Sequence, residues 1–122
     1  MRFFKCDLCG NIVAAVSEIK GPLSCCGHGM TELIPGTTDA AQEKHVPAVT
    51  VEGNKVSVKV GSVEHPMTDA HYIQRIAIET NKGCQMKMLT PQDKPEATFL
   101  LVEGETLVAT YEYCNLHGLW KA

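Results

Sequence analysis

Valine alternates with other residues in two short runs, Val49 and Val51, then Val56, Val58 and Val60, and the break between them is Glu52-Gly53-Asn54-Lys55. A period of two puts one set of side chains on a single face of a strand, and a short polar insert holding glycine closes a hairpin. Further apolar runs predict strands over 71–79, 84–89, 97–102 and 106–113, separated by turn-like Asn81-Lys82-Gly83, Pro91-Gln92-Asp93-Lys94-Pro95 and Glu103-Gly104-Glu105. No stretch of ten or more residues carries a convincing helical period. Strands at this spacing predict a mainly β chain folded as an antiparallel β-sandwich. Cys84 alternates with Met86 and Met88 and is expected to be a small buried core residue. Tyr111 and Tyr113 alternate in the last predicted strand and are expected to pack rather than react.

The pattern changes near Pro35-Gly36-Thr37-Thr38-Asp39-Ala40-Ala41, a small, turn-prone stretch that reads as a linker. Residues 1–36 hold four of the six cysteines and are too few to build an apolar core unaided; residues 37–122 hold four of the five histidines. The first segment is balanced in charge, with Arg2, Lys5 and Lys20 against Asp7, Glu18 and Glu32, so the net charge of -3 lies wholly in the second. That charge argues against nucleic acid as a partner. Phe99-Leu100-Leu101-Val102 is far shorter than a membrane span, and Met1-Arg2-Phe3-Phe4-Lys5-Cys6 lacks the apolar core of a secretory signal, so a cytoplasmic protein with no membrane partner is expected. In that compartment cysteines persist as thiols or metal thiolates, which disfavours disulfides.

Two ligand sets follow. Cys6-Asp7-Leu8-Cys9-Gly10 and Ser24-Cys25-Cys26-Gly27 offer four thiolates, a set that suits zinc or iron. The adjacent pair Cys25-Cys26 can reach one ion only if the backbone bends there, and Gly27 would ease the bend. His28 beside it reads as a solvent-facing turn residue. The second set is His45, His65, His71, Cys114 and His117, the last two as Cys114-Asn115-Leu116-His117. Structural zinc is nearly always closed at four cysteine-rich ligands, so four imidazoles and one thiolate point instead to redox chemistry at a metal. Pro47 and Pro66 set the backbone before them extended, which places most of these histidines on or beside loops, with Cys114 and His117 in the turn after the last predicted strand. Trp120 either covers that turn or packs the terminus.

Cys6-x-x-Cys9 with Cys25-Cys26, then Glu43-Lys44-His45-Val46-Pro47, then His65-Pro66-Met67 with His71, then Cys114-Asn115-Leu116-His117-Gly118-Leu119-Trp120-Lys121 closely resembles the desulfoferrodoxin family, the two-iron form of superoxide reductase. The resemblance spans essentially the whole chain. It implies a desulforedoxin-like domain over 1–36 with iron on Cys6, Cys9, Cys25 and Cys26, and an immunoglobulin-like sandwich over 37–122. It further implies a catalytic iron there with His45, His65, His71 and His117 in one plane and Cys114 on the axis. The implied reaction is reduction of superoxide to hydrogen peroxide in a homodimer supplied by a rubredoxin-like electron donor. Lys44 is implied as the cation that draws the anion in and orders water for protonation, and Glu43 as the carboxylate that closes the sixth position on ferric iron. Without the resemblance, Glu43-Lys44 reads as a solvated charge pair. Two rival classes remain on the residues alone. A cupredoxin-like carrier would need a late axial methionine, and none follows His117; a metal-stabilised interaction module would leave the second ligand set unexplained.

Overall fold

A computed structural model describes all 122 residues. Two compact units divide it, Met1–Ile34 and Pro35–Ala122. In the first, β1 (Phe3–Lys5) is flanked by β2 (Ile12–Ala14) and β5 (Thr31–Leu33), both antiparallel, while β3 (Ser24–Cys25) and β4 (His28–Gly29) form a separate two-residue hairpin. Phe3, Phe4 and Cys6 are its buried apolar side chains. So small a core leaves the loops between these strands dependent on other restraints.

The second unit begins with one helical turn, α1 (Gln42–His45), and continues as two antiparallel sheets. The hairpin of β6 (Pro47–Glu52) and β7 (Lys55–Val60) turns through Gly53 at φ +61 and Asn54, and glycine enters that left-handed conformation without a Cβ clash. β10 (Glu96–Leu100) pairs with the free side of β7 to complete a three-stranded sheet. The opposing sheet runs β12 (Gly118–Lys121), β11 (Leu107–Cys114), β8 (Ile73–Thr80), β9 (Gly83–Met88). Val56, Val58 and Val60, with Phe99 beside them on β10, face Ile73, Ile76, Ile78 and Cys114 across the interior, all at most 1% exposed. The alternating valines of β7 thus form one wall of the core, as period-two patterning requires.

Two features differ from the sequence expectation. The chain does not end its sheet at β11. It turns at Cys114–His117 and returns as β12, so that turn is the bend of a hairpin whose register runs from Cys114 opposite Gly118 to Tyr111 opposite Lys121. Cys84 is exposed, not buried, and Met88 is 71% exposed. Alternation shows that Cys84, Met86 and Met88 share a face without showing which face is covered. On edge strand β9 it is the polar set that turns inward: Gln85 Nε2 donates to the Leu100 carbonyl of the other sheet at 2.9 Å, and Lys87 Nζ lies 5.7 Å from the centre of the Phe99 ring. Long polar side chains cover apolar surface with their stems while their heads stay wet. Tyr111 and Tyr113 are packed as expected, at 3% and 7% exposure.

Candidate metal centres

In the first unit, Cys6 directly follows β1 and Cys9 comes next in a turn closed by a hydrogen bond from the Gly10 amide to the Cys6 carbonyl. Cys25 and Cys26 lie at the tip of the β3–β4 hairpin, where Cys26 takes φ +54 and Gly27 φ +73. This consecutive left-handed pair is the bend that adjacent ligands need. The thiols are free, with Cys9 Sγ to Cys25 Sγ at 3.6 Å and Cys25 Sγ to Cys26 Sγ at 3.9 Å. Those separations are far too long for a disulfide, and they match the edge of a tetrahedron of sulfurs, about 3.8 Å for metal–sulfur bonds of ~2.3 Å. Without a cation the four cannot ionise together. Amides of Cys9 and Leu8 lower the Cys6 thiol to about 7, whereas the bond with Cys9, followed by that with Cys25, pushes Cys26 up to about 12. The Asn11 side-chain amide reaches Cys25 Sγ at 3.8 Å. His28 is exposed and outside the quartet.

In the second unit, His45 ends α1, His65 lies in the loop after β7, His71 stands just before β8, and Cys114 and His117 bracket the β11–β12 turn. The four imidazoles close into a ring. Neighbouring centroids are 4.8 Å apart for His45–His65, 4.6 Å for His65–His71, 4.9 Å for His71–His117 and 4.9 Å for His117–His45, with interplanar angles of 78° to 87°. Across the diagonal, His45 and His71 are 6.5 Å apart. One donor atom from each histidine and Cys114 Sγ all fall within 4.8 Å of one another.

Ring orientation follows from what holds the outer nitrogens. His45 Nδ1 donates to the Ala41 carbonyl and His65 Nδ1 to the Pro66 carbonyl, each at 2.7 Å, which leaves Nε2 of both rings as a lone pair turned inward. His117 presents Nδ1 instead, 3.1 Å from His45 Nε2 and 4.0 Å from Cys114 Sγ. Neighbouring nitrogens on one ion with bonds of ~2.1 Å lie about 3 Å apart, so the His45–His117 contact has the spacing of two ligands on a shared metal. Nε2 of His65 and of His71 is buried with no hydrogen-bond partner. Two orphaned lone pairs aimed at one point are the signature of a site built for a cation.

The electrostatics agree with that reading. Burial foremost lowers His45, His65 and His71 from the ordinary imidazole range, His65 to about 4, so these rings are neutral and ready to ligate. Burial raises the Cys114 thiol, opposed by the amides of His117 and Leu116. A bound cation would displace its proton. Lys44 contributes to the depression of both His45 and His71, and Glu43 opposes it at His45, so both charged side chains act on this cluster.

Supports that residue type alone does not disclose complete the site. Trp120 stacks on His45 with centroids 5.0 Å apart and an interplanar angle of 28°, and its Nε1 donates to the His117 carbonyl at 3.0 Å. Gly61 passes so close to α1 that a Cβ there would stand 2.6 Å from the Glu43 carbonyl oxygen. Asn115 bonds to the backbone on either side of His71. Glu112, two residues before Cys114, is 1% exposed with neither carboxyl oxygen bonded.

Comparison with known proteins gives a consistent match. The family profile described as Desulfoferrodoxin matches residues 37–122, and that for the Desulfoferrodoxin N-terminal domain matches residues 1–33. The desulfoferrodoxin of Syntrophotalea carbinolica is 48% identical over all 122 residues, 95% of its own length. The crystal structure of the superoxide reductase from Treponema pallidum superposes with a TM-score of 0.82 at 39% identity, covering 98% of each chain. A superoxide reductase of the 1Fe type from Giardia intestinalis aligns with 66% of this chain and 95% of its own, with a TM-score of 0.57 and 33% identity.

Proposed function

The chain belongs to the desulfoferrodoxin family, and from that premise we propose that it is a superoxide reductase, passing one electron to superoxide and releasing hydrogen peroxide after uptake of two protons. The observation that carries the reading is the closed ring of four imidazoles, each nearly perpendicular to its neighbours, beside the buried Cys114 sulfur. Ferrous iron held by His45, His65, His71, His117 and Cys114 would supply the electron, which zinc, having no redox chemistry, could not. Cys6, Cys9, Cys25 and Cys26 would hold a second iron.

The chain's own residues then have defined tasks. His45 and His65, locked through their outer N–H groups, keep their donor nitrogens fixed in the ring. Lys44 supplies a local positive potential on a chain of net charge -3, which is what an anionic substrate requires, and it holds water for proton delivery. Glu43, one residue before Lys44 on the same helical turn, would offer its carboxylate to the oxidised iron. What supports these roles is placement: Glu43 and Lys44 share the single turn α1 with the ligand His45.

Residues 1–36 act as the desulforedoxin-like domain and residues 37–122 as the catalytic one. The electron donor is a small rubredoxin-like carrier, and the protein works as a cytoplasmic homodimer. No helix is long and apolar enough to cross a membrane. Stopped-flow mixing of the reduced protein with superoxide, with peroxide counted afterwards, tests the activity. One peroxide per superoxide consumed is the expected result. One per two would mean dismutation and would sink the proposal.

A further inference from the structure

His71 is held differently from the two histidines that precede it in the chain. His45 and His65 each have Nδ1 bonded to a backbone carbonyl, whereas His71 has no such ring bond, although its Nε2 is buried and unpartnered like that of His65. Its position is instead imposed through the main chain. Thr68 and His71 exchange backbone hydrogen bonds of 2.9 and 3.1 Å, and the Thr68 hydroxyl bonds to the same backbone, closing a tight turn before the ligand.

On the other side stands Asn115, in the turn between Cys114 and His117. Its Nδ2 donates to the Ala70 carbonyl at 2.9 Å, its Oδ1 accepts from the Tyr72 amide at 2.9 Å, and its own amide donates to the Tyr72 carbonyl at 3.2 Å. The residues immediately before and after His71 are therefore both fastened to the one residue that follows Cys114. An amide is the side chain that can do this, because it donates and accepts from adjacent atoms.

We propose that Asn115 is a positioning residue that fixes His71 relative to Cys114 and His117, so that the loop before β8 and the β11–β12 turn move as one piece around the metal. The inference rests on the reading that these five side chains bind iron. Asparagine in Cys114-Asn115-Leu116-His117 is then a clamp between ligand loops, not a spacer. Partners that orient ligands in this way are typically worth about 10- to 100-fold in metal affinity.

The test uses the full chain and ferrous iron, with affinity at the five-ligand site read by competition with a chromophoric chelator. The sulfur-to-iron absorption of that site gives a second readout. Asn115→Ala is expected to weaken iron binding roughly 10- to 100-fold and to shift the absorption band, while the four-cysteine site keeps its own iron. Asn115→Asp retains the acceptor for Tyr72 and loses the donor to Ala70, and should fall between; it carries the test if the alanine variant does not fold. Because the clamp acts through His71, Asn115→Ala introduced into a His71→Ala background should cost less than about twofold more. Unchanged affinity and band position in the single variants, or fully additive losses in the double variant, would overturn the proposal. A wild-type chain that takes up no iron at these ligands would instead overturn the functional reading and the clamp together.

Discussion

Glu112 occupies a position where a carboxylate would be costly, inside the sandwich and without a bond to either oxygen. Desolvation raises its pKa to about 9, so the folded protein keeps the acid form at neutral pH. In the unfolded chain the same group ionises in the ordinary carboxylate range. Between those two values the unfolded state binds fewer protons than the folded one, and stability falls as pH rises, by at most about 1.4 kcal/mol per pH unit. Below the unfolded pKa the group imposes no such loss. Glu112→Gln should flatten that decline, and thermal unfolding of the metal-free protein between pH 5 and pH 9, wild type against variant, measures it as an order-of-magnitude window. At Lys44 the prediction concerns rate. Lys44→Ala should slow superoxide encounter by roughly 3- to 10-fold at low salt and weaken its dependence on ionic strength, and an unchanged rate at every salt concentration would remove the residue from the mechanism.

Elements decide which side chains can meet, and α1 shows how narrowly. Its single turn carries Glu43, Lys44 and His45 together, and the absent side chain of Gly61 is what lets the loop after β7 approach it. Gly61→Ala should push α1 away, destabilise the fold by about 1 to 3 kcal/mol as overpacking does, and lower iron retention in the five-ligand site. Denaturant unfolding together with metal analysis checks both effects. Nothing at residues 60–62 announces this contact, because a close approach depends on which loop arrives from elsewhere. The β6–β7 hairpin, by contrast, is legible because its valines and its Gly-Asn turn are local signals. Edge strand β9 misleads for a related reason: its period is local, but which face is covered is set by β10 across the sandwich. The two ligand sets are visible because few residue types bind metals. The carbonyls of Ala41 and Pro66, which aim two of the rings, are invisible because every residue has one.

At the scale of the whole molecule the two ligand sets fall in separate compact units, one in Met1–Ile34 and one in Pro35–Ala122. Each set is complete within its own unit. Cys6→Ser should therefore remove the colour of the four-cysteine centre while leaving superoxide reduction by the pre-reduced protein within about twofold of wild type, since none of the five catalytic ligands is touched. Loss of all activity with iron still present at His45, His65, His71, His117 and Cys114 would refute that division of labour. The chain contains a single tryptophan, and that indole lies flat against His45. Its fluorescence is consequently a built-in gauge of one ligand's surroundings, so that filling and emptying of the catalytic pocket can be followed optically in the unlabelled protein.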